Sequence, residues 1–227
     1  MKKKHLLLPA LLLTLFSTAS TVKATTIIAN FGIGQNIWLK EDGIEIQGWA
    51  GALNIALDGT YNRTAFCVDL FTNIFVTQTY GTQIARPGSP ELMRAAWLIE
   101  NEYPALTAAA DMAALQLALW DIIHDGGDGL SVGRVQGATT NATDAAILNN
   151  ASAFLARSLG RASNNAFLYT NLSLTNGAPA QTLMGSAVND GGPHAPEPST
   201  WAMMAMGAVA VGFGSRRRRQ QAPKPTC

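Results

Sequence analysis

The feature that most constrains this chain is a short apolar segment at each end, each beside a cluster of basic residues. At the N-terminus, Lys2 to Lys4 precede an apolar run from Leu6 to Phe16, and small residues follow as far as Ala24. This order predicts a secretory signal peptide over residues 1–24. A membrane-spanning helix is the alternative, but the run is shorter than the roughly 20 apolar residues that a bilayer requires. The sequence therefore predicts an exported protein.

The C-terminus has three parts in order. Pro196, Glu197, Pro198 and Ser199 are followed by an apolar stretch from Trp201 to Gly214, and then by Arg216, Arg217, Arg218 and Arg219. A helix of this apolar length measures about 21 Å, whereas the bilayer core is about 30 Å thick. The positive-inside rule would keep the arginines in the cytoplasm, with residues 220–227 as a cytoplasmic tail and the body on the outer side.

These residues resemble the PEP-CTERM sorting signal of exopolysaccharide-producing Gram-negative bacteria, with Ala195 where valine is commoner in the family. The resemblance implies that residues 196–219 are recognised by an exosortase and cleaved near Pro-Glu-Pro. The secretion machinery and, transiently, the membrane would be further partners. An inner-membrane intermediate would then be released to the cell surface or the extracellular matrix. A permanent tail anchor is the alternative.

The charge of the chain is divided unevenly between its ends and its body. The terminal segments hold 9 of the 16 basic residues, which leaves 7 basic against 14 acidic residues between Thr25 and Pro196, a net charge of about −7. Binding to nucleic acid would require a basic surface. We therefore expect no nucleic-acid partner.

The body, predicted over residues 25–175, changes its hydrophobic pattern along its length. Period-two alternation predicts strands at 44–46, 53–57, 64–70, 73–78 and 167–174. Helical spacing predicts three helices, at 89–102, 107–124 and 141–159. Residues 176–195 are rich in Gly, Pro, Ala and Asn, which predicts a flexible linker. The fold class is therefore α+β: an antiparallel sheet or barrel with about three inserted helices, plus a short C-terminal transmembrane helix.

The body has one cysteine, Cys67, and one glutamine in an unusual position, Gln116. Export would favour a disulfide between Cys67 and Cys227, but the sorting tail would keep Cys227 in the reducing compartment. Gln116 has apolar neighbours three and four residues away on the second predicted helix, so its carboxamide needs hydrogen-bond partners if it is buried. A bond to a nearby backbone group is the ordinary explanation for such a glutamine.

The segments Ala65-Phe66-Cys67-Val68-Asp69-Leu70 and Leu115-Gln116-Leu117-Ala118-Leu119-Trp120 together resemble the thioester domains of bacterial surface adhesins. The resemblance covers residues 44–120, with Leu115 where the family has threonine. It implies an internal thioester between Cys67 and Gln116, shielded from water by Phe66, Leu119 and Trp120. Such a bond would acylate, once, an amine or hydroxyl on a partner surface, with matrix polysaccharide among the candidates. The protein would be a covalent adhesin and not an enzyme.

Two other functions fit the same residues. A structural matrix or biofilm protein would keep a free, buried Cys67, since free cysteine packs as a small hydrophobe. A cysteine hydrolase would use Cys67, His124 and either Asp121 or Asp125. No glycine-rich oxyanion motif surrounds Cys67, however, and His124 is more simply explained as the end of a helix.

The sequence predicts no cofactor and no metal. Asp121, Asp125 and Asp128 are acidic enough for calcium, but the glycines between them leave too few oxygen ligands for the 12-residue calcium loop, so a solvated turn is the favoured interpretation. Four triplets match the N-glycosylation pattern; they begin at Asn62, Asn141, Asn150 and Asn171.

Overall fold

A computed structural model of the chain describes residues 25–138, 142–174 and 176–186, without the side chains of 60–62 and 142–144. The predicted signal peptide, sorting signal, C-terminal transmembrane helix and tail lie outside these residues. No helix in the described ranges is long and apolar enough to cross a membrane.

The described residues contain one antiparallel sheet that closes on itself. Its seven strands are β1 (Thr25–Glu41), β2 (Ile44–Leu57), β3 (Thr60–Cys67), β4 (Thr79–Ala85), β5 (Val135–Gly137), β6 (Phe167–Leu174) and β7 (Leu183–Gly185). The order is β2-β3-β7-β6-β4-β1-β5, and β1 also pairs with β2. Six strands therefore form a closed barrel, with β5 added beside β1, so the predicted antiparallel sheet is confirmed.

The hairpin of β1 and β2 forms one wall of the barrel. Its turn, Asp42-Gly43, has positive φ at both residues (49° and 82°), as a tight hairpin turn of this twist requires. The register shifts near Gly34, where a Cβ atom would lie 2.5 Å from the Ala50 carbonyl oxygen. A glycine is therefore needed at this position for the two strands to approach each other.

Three α-helices cover the barrel, as predicted: α1 (Pro90–Asn101), α2 (Ala109–Asp125) and α3 (Ala142–Arg157). The Ser89 hydroxyl caps α1 by accepting the Leu92 N–H at 3.2 Å, and Gly126 ends α2 in the left-handed conformation with φ 71°. Every residue of α2 from 112 to 122 is buried. This burial follows from its central position, because α2 contacts β1, β2 and β3 as well as the other two helices.

The structure corrects several predicted boundaries. Residues 73–78 are not a strand, since β4 begins at Thr79, and the strand predicted at 64–70 ends at Cys67. The first strand, β1, was not predicted, because its glycines and polar residues interrupt the apolar alternation. The predicted linker starts too early, since 183–185 form β7. This strand is only three residues long but pairs with β3 on one side and β6 on the other.

Candidate functional site

Cys67 is the last residue of β3, and its side chain is buried. On one side β3 pairs with β7, with Cys67 opposite Leu183. On the other side the pairing with β2 extends only to Ala65. The N–H and C=O of Cys67 therefore need a partner that is not a strand.

Gln116 provides this partner from α2. Its Oε1 accepts the Cys67 N–H at 3.1 Å, and its Nε2 donates to the Cys67 carbonyl oxygen at 2.6 Å. The Gln116 side chain is fully buried. The structure thus brings together the two residues that the sequence singled out, although they are 49 positions apart. The bond to a backbone group expected of a buried glutamine is made to the backbone of Cys67 itself.

The electrostatic surroundings keep the Cys67 thiol neutral. Burial, followed by the charge of Asp69, raises the pKa of Cys67 to about 12. Reactive thiolates in cysteine hydrolases have the opposite environment, in which a nearby cation or a helix N-terminus lowers the pKa. The resting thiol is therefore not prepared for rapid turnover at neutral pH.

His124 lies beside the segment that follows β3 and bonds to the backbone of that segment. Its Nε2 is 3.1 Å from the Val68 carbonyl oxygen and 3.3 Å from the Leu70 nitrogen. Burial, more than any nearby charge, lowers the pKa of His124, which favours the neutral ring. The other proposed members of a hydrolase triad bond elsewhere: Asp121 accepts from the Gly129 N–H, and Asp125 accepts from the loop backbone at Arg134.

The three predicted shielding residues are all buried, but each packs in a different part of the structure. Phe66 packs edge-to-face on Tyr103, with ring centroids 5.4 Å apart. Leu119 belongs to the main core. Trp120 lines a cavity of about 200 Å³, and Cys67 lines the same cavity.

The wall of this cavity includes residues that the sequence did not indicate. Phe31, which is 54% exposed, packs against Trp49 in a tilted arrangement, with ring centroids 4.6 Å apart and 41° between the ring planes. Gln181 also lines the cavity and donates from Nε2 to the Asp69 carbonyl oxygen. No sequence signal marked these residues, because Phe31 lies in the strand that was not predicted and Gln181 in the predicted linker.

Three acidic residues at the end of α2 and in the loop that follows it form a cluster. One carboxylate oxygen each of Asp121, Asp125 and Asp128 lies within 4.8 Å of the others. Asp121 is fully buried, while Asp125 is partly buried and Asp128 is exposed. Burial is the main cause that raises the pKa of Asp121 to about 6, and the charges of Asp128 and Asp125 add to it. The prediction of a solvated turn is therefore wrong for Asp121.

Two of the four glycosylation triplets have described asparagine side chains. Asn150 donates to Asp111 at 2.9 Å, and Asn171 donates to Gln83 at 3.0 Å; both asparagines are exposed. Asn141, like the Asn62 side chain, lies outside the described residues. Glycan attachment stays a prediction.

Comparison with known families identifies one part of the chain. A family described as the PEP-CTERM protein-sorting motif matches residues 194–219, a range that includes Pro196 to Ser199 and Arg216 to Arg219. No curated protein and no solved structure matches the chain. The predicted sorting motif is confirmed, and it implies exosortase processing and export through the membrane to the cell surface.

Proposed function

We propose that the body of this exported protein forms an internal thioester between Cys67 and Gln116 and uses it once to attach covalently to another surface. The observation that carries the proposal is the two-point contact between the Gln116 carboxamide and the Cys67 backbone. This contact holds the amide group beside the residue whose thiol would attack it. Fixing two reacting groups in this way lowers the entropic part of the barrier.

The proposed reaction is an acyl transfer from nitrogen to sulfur. The Cys67 sulfur attacks the Gln116 amide carbon, and a tetrahedral intermediate forms with negative charge on Oε1. The Cys67 N–H already donates to this oxygen at 3.1 Å, so it stabilises the charge as it develops. The C–N bond then breaks, the thiol proton is transferred to the departing nitrogen, and one ammonia leaves. One S–C bond replaces one N–C bond, with no oxidant or reductant required.

The neutral thiol makes this a slow, single event and not a repeated one. With a pKa of about 12, only about one Cys67 thiol in 10⁵ is ionised at neutral pH. Slow formation is compatible with a bond that forms once during maturation. The apolar surroundings then slow hydrolysis of the product, because they limit the water beside it to the small cavity that Cys67 lines.

The cavity beside Cys67 gives an acceptor a route to the bond. Its volume of about 200 Å³ is smaller than the roughly 300–1,000 Å³ of typical ligand pockets. It suits the end of a side chain or a single hydroxyl-bearing group better than a whole small molecule. Attack by such an amine or hydroxyl would transfer the Gln116 acyl group to the partner and release the Cys67 thiol. A matrix polysaccharide would supply hydroxyls of this kind.

The second candidate is a structural matrix or biofilm protein in which Cys67 stays free. The observation that favours it is that the Gln116 carboxamide uses both its oxygen and its nitrogen in bonds to Cys67, which is a sufficient structural role. A hydrolase is less well supported, because the pKa of Cys67 is raised and His124 bonds to the backbone of Val68, just after β3.

Intact-mass measurement of the purified full-length chain distinguishes these functions. A thioester predicts a mass lower by one ammonia, and incubation with methylamine should add one methylamine and expose one thiol. Cys67→Ala and Gln116→Ala should each show the mass of an unreacted chain and no adduct. Gln83→Ala is the matched control, because Gln83 is exposed and should leave the ammonia loss unchanged. The unmodified mass with a titratable thiol in the wild type would contradict the thioester.

A further inference from the structure

The acidic cluster at the end of α2 has the chemistry of a cation site. We propose that Asp121, Asp125 and Asp128 bind a divalent cation, with Ca²⁺ the ion that suits them best. The proposal is independent of the thioester, because it rests on other side chains and on a different part of α2.

The spacing of the three carboxylates suits calcium. Ca²⁺ binds oxygen ligands at about 2.3–2.6 Å, so two ligands on opposite sides of the ion are about 4.6–5.2 Å apart. The three oxygens all lie within 4.8 Å of one another, so they can contact one ion without moving apart. The 12-residue calcium loop is not needed here, because Asp121 and Asp125 come from one helix face and only Asp128 comes from the loop.

Asp121 supplies the observation that points to a ligand. Its side chain is fully buried; Oδ2 accepts the Gly129 N–H at 3.3 Å, while Oδ1 has no hydrogen-bond partner among the described residues. A buried carboxylate oxygen is strongly unfavourable unless a donor or a cation compensates it. A divalent cation held by the three carboxylates would supply this compensation.

Among the described residues, no basic side chain forms an ion pair with the cluster, although the charge of Arg94 acts on Asp121 from a distance. Arg94 donates to Ser158, Gly126 and Leu155, at 2.9, 2.8 and 3.0 Å. Arg134 is paired with Asp42 through two bonds, at 2.8 and 2.9 Å. Three carboxylates therefore share a partly buried position without a directly bonded cation.

Calcium titration of the full-length chain, after treatment with a chelator, tests the site. Isothermal titration calorimetry should show one Ca²⁺ per chain, with a dissociation constant in the range of about 10⁻⁴–10⁻³ M that is typical of extracellular modules. The melting temperature should rise with Ca²⁺ concentration, because the ion binds only the folded state. Asp128→Asn removes an exposed ligand at little risk to folding and should weaken binding at least tenfold.

Glu45→Gln is the matched control for charge. Glu45 is exposed on β2, so its substitution removes one negative charge outside the cluster and should leave the Ca²⁺ response unchanged. Asp121→Asn should abolish the response while the chain stays folded without the ion. Absence of both binding heat and a melting shift at about 10 mM Ca²⁺, well above the expected dissociation constant, would overturn the proposal. An unchanged response in Asp128→Asn would overturn it as well.

Discussion

Helix α2 contains two buried polar side chains that differ in how fully their polar atoms are hydrogen-bonded. Gln116 bonds with both its oxygen and its nitrogen to the Cys67 backbone. Asp121, little more than one helical turn later, has a carboxylate oxygen without a partner in the described chain. A buried neutral amide whose oxygen and nitrogen both form hydrogen bonds stabilises the fold. A buried carboxylate with an oxygen that lacks a partner needs a cation or a proton instead. The first group is therefore suited to internal chemistry, and the second to binding something from outside.

The largest expected change in the free energy of unfolding comes from removing the hydrogen bonds between the Gln116 carboxamide and the Cys67 backbone. In a Cys67→Ala background, where no thioester can form, Gln116→Met keeps a similar side-chain volume but leaves the backbone N–H and C=O of residue 67 buried without partners. Each unsatisfied group costs about 1–3 kcal/mol, so we expect the free energy of unfolding to fall by roughly 2–6 kcal/mol relative to Cys67→Ala alone. Denaturant unfolding measures this loss. Gln83→Met, on an exposed site, should change stability by less than about 0.5 kcal/mol, and an equally small effect at Gln116 would contradict the role of the pair.

Substitution of Asp121 should have the opposite effect and raise the free energy of unfolding. In the folded chain the pKa of Asp121 is about 6, above the ordinary value of 3.8, so the folded state holds a proton that the unfolded state has lost. Stability from this group is present below pH 4 and is lost as the pH rises through 6. With a chelator at pH 7.5, Asp121→Asn should therefore raise the free energy of unfolding by about 1–2 kcal/mol.

The same variant should give no advantage at pH 4, where the wild-type carboxyl is protonated. Denaturant unfolding at both pH values makes the comparison, with Glu45→Gln as the control for the loss of one negative charge outside the cluster. A loss of stability in Asp121→Asn at pH 7.5 without calcium would mean that other groups of the protein already stabilise the Asp121 carboxylate.

The smallest effect is expected at an exposed pair near the cluster. Asp42 and Arg134 are each about half exposed, and exposed pairs of this kind contribute little to stability because water and salt screen them. Asp42→Asn should therefore leave the denaturant midpoint of unfolding almost unchanged, and added salt should reduce the difference further. A fall in the midpoint comparable to that caused by Gln116→Met would mean that Arg134 also holds the cluster loop in place.

The sequence predicted the α+β class and brought attention to Cys67 and Gln116, because helical periodicity and two short motifs are local signals. Other features depend on distant contacts that no local pattern records. The strand β7 exists because β3 and β6 flank it, and β1 tolerates glycines because β2 approaches it closely. The burial of Asp121 arises from the packing around α2, which a run of Asp and Gly residues does not indicate.

The account's central claim is the covalent bond between Cys67 and Gln116, and peptide mapping by mass spectrometry tests it most directly. The full-length protein would be digested at acidic pH, where thioesters persist, and the peptides would be sequenced by fragmentation. The account predicts one joined pair of peptides, one containing Cys67 and the other Gln116, with a mass lower by one ammonia than the two together. Separate peptides, with an intact glutamine and a Cys67 thiol that alkylates, would contradict it.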